Sequence, residues 1–443
     1  MGAALNSPQT FVRPDRTDPR LESLPERLEA DPSRVVLRPF DLGWKDGGVP
    51  SERAQRLVAQ ILALSEDEVE AELASVLRDF RERHWKIDRI FEDRFAELCP
   101  AFDLCADSLS RSRLLLIAAY FSHEYTYAAA ALMNPSIVSH PDQSGCEAAM
   151  RFILSVRAVG EGHISSIGFR EGFLFPEGDM ELWPDSQFAV AASPVKEEGG
   201  IVTALRSPHA SISDTVLFPM SEQQQGGLED LRMVRFDHGA GDIEYIGTYT
   251  AYSGSTIRSE LLRTRDFRTF DLQPIEGRAG RDKGMALFPR KVGGRYAMVG
   301  RQDGKNLYLL RSDHIGTWDD DGTKLLEPEF PWEFVQIGNC GSPIETSEGW
   351  LLLTHGVGAM RKYSLGCALL DLDDPSRVIA RSRKPILSAE SEDRNGYVPN
   401  VVYTCGAVAT AGGILFVPFG ISDSAIGFGR IPLSDLVDGL QRV

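Results

Sequence analysis

Arg151-Phe152-Ile153-Leu154-Ser155-Val156-Arg157 runs directly into Ala158-Val159-Gly160-Glu161-Gly162-His163-Ile164-Ser165-Ser166-Ile167. Apolar, β-prone residues fill both halves, and a Gly-x-Gly step between them reads as a hairpin turn. Similar runs follow at Tyr245-Ile246-Gly247-Thr248-Tyr249-Thr250, Arg295-Tyr296-Ala297-Met298-Val299, Trp350-Leu351-Leu352-Leu353-Thr354 and Ile414-Leu415-Phe416-Val417. Gly, Pro, Asn and Asp clusters separate them. Short strands spaced by turn residues indicate an all-β sandwich, barrel or propeller. Several units repeat one plan: a Gly turn, a strand, then a polar residue. That plan suits four-stranded blades, although periodicity does not count them.

Upstream of this β-rich part the texture differs. Residues 1–50 mix Pro and charge without a period and read as an extended arm. Residues 51–132 read as helical. Ser65-Glu66-Asp67-Glu68 forms a capping box, in which the Ser hydroxyl accepts from the Glu68 amide and the Glu68 carboxylate reaches back. Val69, Leu73, Val76, Phe80, Ile87, Phe91, Phe95 and Leu98 then recur at three- and four-residue spacing, which predicts one apolar face of a long helix. His84 shares that face and reads as a packed histidine. A second helix is expected from Ser108 to Leu132. Ser122-His123-Glu124-Tyr125 within it lacks the second His of a zinc-chelating helix, so no metal site is expected. The third region, residues 133–443, is expected to be the β domain that carries the chemistry.

The net charge of −17 argues against a nucleic-acid binder, because that affinity rests on Lys and Arg neutralising phosphates. It leaves room for a small anion in a local basic pocket. Hydrophobic residues make up 42% of the chain and charged residues 25%, the balance of a globular protein with a sizeable core. The leading residues Met1 to Arg20 are polar and Pro-rich, without the apolar stretch of a secretion signal. Met1-Gly2 suggests myristoylation, but Asn6 stands where that motif wants Ser or Thr. The longest apolar stretch, Leu114 to Tyr120, is far short of a membrane span. The six cysteines form no Cys-x-x-Cys pair and read as free thiols. A cytoplasmic protein without membrane or nucleic-acid partners is the expectation.

Five segments place polar residues at the ends of apolar strands: Asn134-Pro135-Ser136-Ile137; Ser155 to Ile167; Gly227-Leu228-Glu229-Asp230-Leu231-Arg232, leading to Thr248-Tyr249-Thr250-Ala251-Tyr252; Lys283-Gly284-Met285-Ala286-Leu287-Phe288-Pro289, leading to Gly300-Arg301; and Gly341-Ser342-Pro343-Ile344-Glu345-Thr346, leading to Thr354-His355-Gly356-Val357. Each alone is open to a structural reading: a turn acid capping amides, a structural ion pair, a plain hairpin. Together they supply carboxylates, cations and a His at the strand ends of one domain. That is the inventory of a glycosidase-type site, with one acid for the leaving oxygen, one base for water, and donors for sugar hydroxyls.

At these segments, together with the late Gly420-Ile421-Ser422-Asp423, the chain resembles glycoside hydrolase family 130, the mannoside phosphorylases and β-1,2-mannosidases. The resemblance runs from about Asn134 to the end of the chain. It implies a five-bladed β-propeller, to which the helices would be an N-terminal extension. It also implies an inverting, exo-acting enzyme on β-mannosidic bonds, β-1,2-linked by preference. Asp230 resembles the family's general acid, acting through a sugar hydroxyl. Asn134, Arg157 and Asp423 would line the mannose position, with His163, Glu229, Arg232, Tyr252, Lys283, Arg301 and His355 as further substrate contacts. An inverting hydrolase leaves roughly 6.5–9.5 Å between acid and base for a water, whereas a phosphorylase replaces the base with cations that hold phosphate.

Two departures separate the chain from the phosphorylase pattern. Leu231 stands where Asp-Pro-Arg is common, and Gly300-Arg301 stands where His-Arg is common. With a carboxylate at Glu161 on the hairpin turn, hydrolysis is the leading expectation, with Glu161 as base and Glu345 in reserve. Phosphorolysis to mannose 1-phosphate, with inorganic phosphate as co-substrate and no other cofactor, is the alternative. A non-catalytic sugar-binding propeller and a furanoside-cleaving propeller enzyme remain as further classes. The apolar helical stripe must be buried on the β domain or on a second copy of the chain.

Overall fold

The computed structural model describes residues 19–443, apart from positions 41, 43, 46–48, 185–187 and 282. The Met1-Gly2 pair lies outside the described residues. From Ser122 onward the chain is almost entirely strands and turns, and no sheet closes into a barrel among the described residues. The all-β expectation therefore holds for the main body.

The strands form four larger sheets and two small ribbons. The largest has twelve strands and falls into two groups joined side by side. Ala131–Ser139, Met150–Val159 and Ser165–Leu174 make one antiparallel run. Gly227–Asp237, Ile243–Tyr252, Ile257–Thr264 and Thr269–Pro274 make the next. A parallel contact, Gly227 against Ser165, joins the innermost strand of the second group to the first. The other large sheets have four, seven and five strands. In the last of these, Glu22–Leu28 pairs antiparallel with Ala425–Pro432, so a strand from the start of the chain covers a strand from near its end. The expected arm of residues 1–50 thus contributes regular structure where it is described.

The helical region has its own core. Helices α1 (Glu52–Leu62), α2 (Glu66–Phe80), α3 (Ile87–Phe102) and α4 (Arg111–Tyr120) enclose Val58, Ile61, Val69, Leu73, Phe91, Phe95, Leu116 and Ile117. Most of the apolar stripe is therefore buried among the chain's own helices, and Phe80 is left exposed. Ser65 opens α2 with the expected capping box. Arg113 is buried, and its guanidinium donates to the carbonyls of Ile61 and Leu64 at 2.6 and 2.8 Å. Arg113 thereby ties the C-terminal end of α1 and the turn after it to α4.

Two helix expectations need correction. The stripe from Val69 to Leu98 is not one helix. A 3-10 turn at Arg81–Arg83, an extended His84 and a left-handed Lys86 (φ 44°) break it into α2 and α3. Both halves face the same core, so the spacing survives the break. The helix expected over Ser108–Leu132 is only α4, which ends at Tyr120. Ser122–Thr126 is a strand paired with Val35–Pro39, and Asn134 lies inside the strand Ala131–Ser139. His123, Tyr125 and Thr126 favour extended structure, and a partner strand outweighs the weak helical period there. His84 is 4% exposed and bonds Glu124 at 2.7 Å, which ties the helical region to this strand. All six cysteines are free.

Candidate active site

Asp230 sits near the start of the Gly227–Asp237 strand, where the pairing with Ile243–Tyr252 slips between Glu229 and Arg232. Its φ is +56°, and Asn134 (+49°) and Asp423 (+51°) share this left-handed conformation. Asn and Asp tolerate it better than other residues with a Cβ, because their short polar side chains bond locally. The bulge turns the Asp230 carboxylate out of the alternation of the strand. Bulges beside active sites re-aim side chains in this way.

Asp230 Oδ1 accepts from Asn134 Nδ2 at 2.6 Å and from Arg157 Nη1 at 3.1 Å. Arg157 also donates to Glu229 Oε1 at 2.6 Å and to Ser165 Oγ at 2.9 Å. The quoted hairpin thus delivers Arg157 from one strand and Ser165 from the next. Arg232 is buried behind Asp230. Its guanidinium donates to the Asp230 carbonyl (2.8 Å), the Cys340 carbonyl (2.9 Å) and Tyr403 Oη (2.6 Å). This places Arg232 as a post under the bulge. Tyr403, Ser165 and Cys340 are site residues that sequence reasoning missed. The pairing of Tyr403 with Arg232, 171 positions apart, left no trace in either local pattern.

The electrostatics separate the acids. Burial works to raise Asp230, but Arg157, Arg232, the Asn134 hydrogen bond and Lys283 together pull it down to about 2. Burial raises Glu229, with the Asp230 charge adding to it against Arg157. Asp423 is pushed up to about 6, first by burial and then by Asp230. Asp423 therefore keeps its proton to higher pH than an ordinary aspartate, next to a firmly ionised Asp230.

A second patch lies on the Arg232 side. His355 is buried in the strand Gly349–Val357, stacked on Tyr363 with centroids 5.8 Å apart and edge-on to Tyr403 at 4.9 Å. Gly338 has no side chain to occupy the space that the imidazole fills. Burial, then Arg301 and Arg232, hold His355 well below its usual value, so the imidazole is neutral. Its Nδ1 has no hydrogen-bond partner, and neither have Arg301 Nε and Asn339 Nδ2, although all three atoms are buried. Lys283 reaches Glu229 and Asp230 electrostatically. Unsatisfied buried donors in a native structure call for a ligand or water. Arg301 and Asn339, next to the neutral His355 ring, supply buried donors fit for an oxyanion.

The side chains of the remaining expected residues make no hydrogen bond to Asp230, Arg157 or His355 among the described residues. Glu345 is held by Arg290 through two hydrogen bonds of 2.8 and 2.6 Å at an exposed site. That is the fork geometry of a structural ion pair. Glu161 lies exposed at the hairpin tip, and its carbonyl accepts from Tyr125 Oη at 2.8 Å. His163 shares the tip. Tyr252 ends the strand beside Gly227, and its hydroxyl donates to the Gly254 carbonyl. Among the described residues no cluster of metal-ligating side chains occurs.

Comparison with known proteins bears on this arrangement. A family model described as β-1,4-mannooligosaccharide phosphorylase, of the glycoside hydrolase 130 family, matches residues 207–442. That span holds Asp230, His355 and Asp423 but not Asn134 or Arg157. The chain is 33% identical over 217 residues to a 1,2-β-oligomannan phosphorylase from Thermoanaerobacter sp., covering 49% of this chain and 72% of that protein. It is 29% identical over 231 residues to a β-1,2-mannobiose phosphorylase from Listeria innocua, covering 51% of this chain and 63% of that one. Among solved structures, a glycosidase from Bacteroides thetaiotaomicron superposes with a TM-score of 0.53 at 17% identity, over 70% of this chain and 89% of its own. A structure reported with the finding that this family of mannoside phosphorylases contains hydrolases of β-1,2 linkages in Candida mannan gives 0.53 at 18%, over 70% and 87%. The two superpositions speak for the fold, and the sequence matches speak for the family: the chain belongs to glycoside hydrolase family 130, whose members are enzymes that act on mannosides.

Proposed function

We propose that the chain cleaves β-mannosidic bonds by phosphorolysis, with short β-1,2-linked manno-oligosaccharides as substrates. The pairing state of the charged groups carries this choice over hydrolysis. Arg301 Nε and Asn339 Nδ2 are buried donors without a partner next to the neutral His355, while Glu345 is engaged by Arg290 and Glu161 is exposed at the hairpin tip. A base for water is the part least supplied, and a seat for an anion is the part best supplied. The curated relatives, all phosphorylases by name, favour the same reading.

In this reading a phosphate oxygen attacks the anomeric carbon from the face opposite the glycosidic bond. That bond breaks, and the leaving oxygen takes a proton relayed from Asp230 through a hydroxyl of the mannose. An anion seated near Lys283 and Arg232 offsets part of the positive field that depresses Asp230, which raises it toward the range where an acid works. Asn134, Arg157 and Asp423 would hold the mannose. Because the product sugar is charged and does not cross membranes, a cytoplasmic setting goes with this reading.

The five-bladed arrangement also belongs here as a proposal. The twelve-stranded sheet divides at the Gly227–Ser165 contact, and its two halves with the three other large sheets make five groups. No site residue identified here comes from the helical region.

The test is incubation with β-1,2-mannobiose with and without inorganic phosphate. Mannose 1-phosphate formed only in the presence of phosphate is expected. Free mannose released equally fast in its absence would sink the proposal. Hydrolysis keeps one observation in its favour, the unpaired Glu161 carboxylate at the hairpin tip. Any phosphate-independent activity should then disappear in Glu161→Gln.

A further inference from the structure

Two loops meet just outside the Asp423 carboxylate. The turn that carries Asp423 bonds the loop before it, with Tyr397 N donating to Ser424 Oγ at 2.7 Å and Val398 N to the Ser422 carbonyl at 3.0 Å. Gly396 lies so close to Ser422 that any side chain there would collide with it. Tyr397 is thereby fixed by its backbone while its ring stays 60% exposed. On the other side, the hairpin that supplies Arg157 and Ser165 to the centre ends in His163, held at φ +61°. The rings of His163 and Tyr397 approach to 6.0 Å between centroids, with planes tilted by 32°.

That spacing decides what the pair can do. It is too narrow for a pyranose ring to enter between the two, so they act as one continuous surface. A Tyr ring held in place by its backbone and set beside a His ring presents a preformed amphipathic face. The apolar C–H face of a sugar suits such a surface, and the ring edges and the Tyr hydroxyl remain free for its hydroxyls. Arg361 adds a donor on the same rim. It lies on the Ala359–Arg361 turn with φ +55°, acts electrostatically on Asp423, and makes no side-chain hydrogen bond among the described residues. Non-glycine residues held in this conformation collect where function demands them.

We infer that Tyr397 and His163 form the platform for the sugar unit on the leaving side of the scissile bond, with Arg361 at its edge. This rests on the reading of the site as mannoside-cleaving and adds which residues hold the second saccharide. The platform lies outside the reacting atoms, so its contribution is to binding, equal in the ground state and the transition state.

The test compares wild type with Tyr397→Ala, His163→Ala and Tyr397→Phe on β-1,2-mannobiose. KM should rise about tenfold in Tyr397→Ala and less in His163→Ala, with kcat nearly unchanged, as expected when uniform binding is lost. Tyr397→Phe, which keeps the ring and loses only the hydroxyl, should raise KM less than Tyr397→Ala. Inhibition by mannose 1-phosphate, which occupies only the inner positions, should be unaffected by all three. An unchanged KM in Tyr397→Ala, or an equal loss of mannose 1-phosphate affinity, overturns the platform. If wild type turns over no β-mannoside, the functional reading fails. Calorimetric titration with β-1,2-mannotriose then decides the platform separately: weaker binding to Tyr397→Ala supports it, and equal binding removes it.

Discussion

Asp230 and Asp423 are the same residue type in one cluster, and their surroundings push them apart. Cations and an amide donor hold the first near 2, and burial beside that ionised neighbour lifts the second to about 6. Asp230→Asn keeps a residue that tolerates the left-handed backbone, so the fold should survive with a small drop in Tm. Activity should fall by about 10³, within the usual range for a lost proton donor. Steady-state kinetics beside a thermal melt checks both. For Asp423 the sign follows from linkage. Its native value lies above the ordinary 3.8, so between about pH 4 and 6 the native state binds a proton that the unfolded chain has released. This carboxyl therefore favours folding at low pH and disfavours it as pH rises through its native value. Asp423→Asn, neutral throughout, should gain stability relative to wild type between pH 4 and pH 7. Urea midpoints at the two pH values measure it, and a difference that does not change with pH contradicts the raised value.

At the level of elements, the site depends on one contact between two sheet halves. Gly227 has φ +136°, and a Cβ there would lie 2.8 Å from the Ser165 amide nitrogen. Ser165 is also the anchor for Arg157 Nε. Gly227→Ala must therefore strain the backbone or push Ser165 away, and either displaces Arg157 from Asp230. We expect a loss of about 2 kcal/mol in stability, in line with other forced backbone changes, and a fall in kcat/KM larger than that loss explains. A variant with wild-type kcat/KM would show that the contact does not position Arg157. The helices tell a related story about patterns. Ser65 and Glu68 stand three residues apart, and their capping box was legible because it depends on local spacing. The break at Lys86 was not legible, because two short helices facing one core leave the same periodic record as one long helix.

Across the whole molecule, the start of the chain is bound to its functional end. Glu22–Leu28 covers the edge of Ala425–Pro432, and Tyr125 from the strand after α4 holds the hairpin tip through the Glu161 carbonyl. The same hairpin carries Arg157 inward and His163 outward, so the Tyr125 contact braces both the centre and its rim. Sequence position gave no hint of this, since residues 125 and 161 belong to regions of different texture.

Local chemistry determined a good deal here. Strand length and turn residues indicated the all-β body, and the combination of strand-end segments indicated the family and the importance of Asp230. Asn134, Arg157, Glu229 and Asp230 do meet, in hydrogen-bond contact. What only the tertiary structure decided is which charges are already spent. Arg290 engages Glu345, Arg232 is used up behind the bulge, and His355 is neutral with a free ring nitrogen. Each of these facts depends on a partner far away in the chain and on burial. Both arise only when the sheets pack, and a charge has no assignable role until its neighbours and its access to water are known.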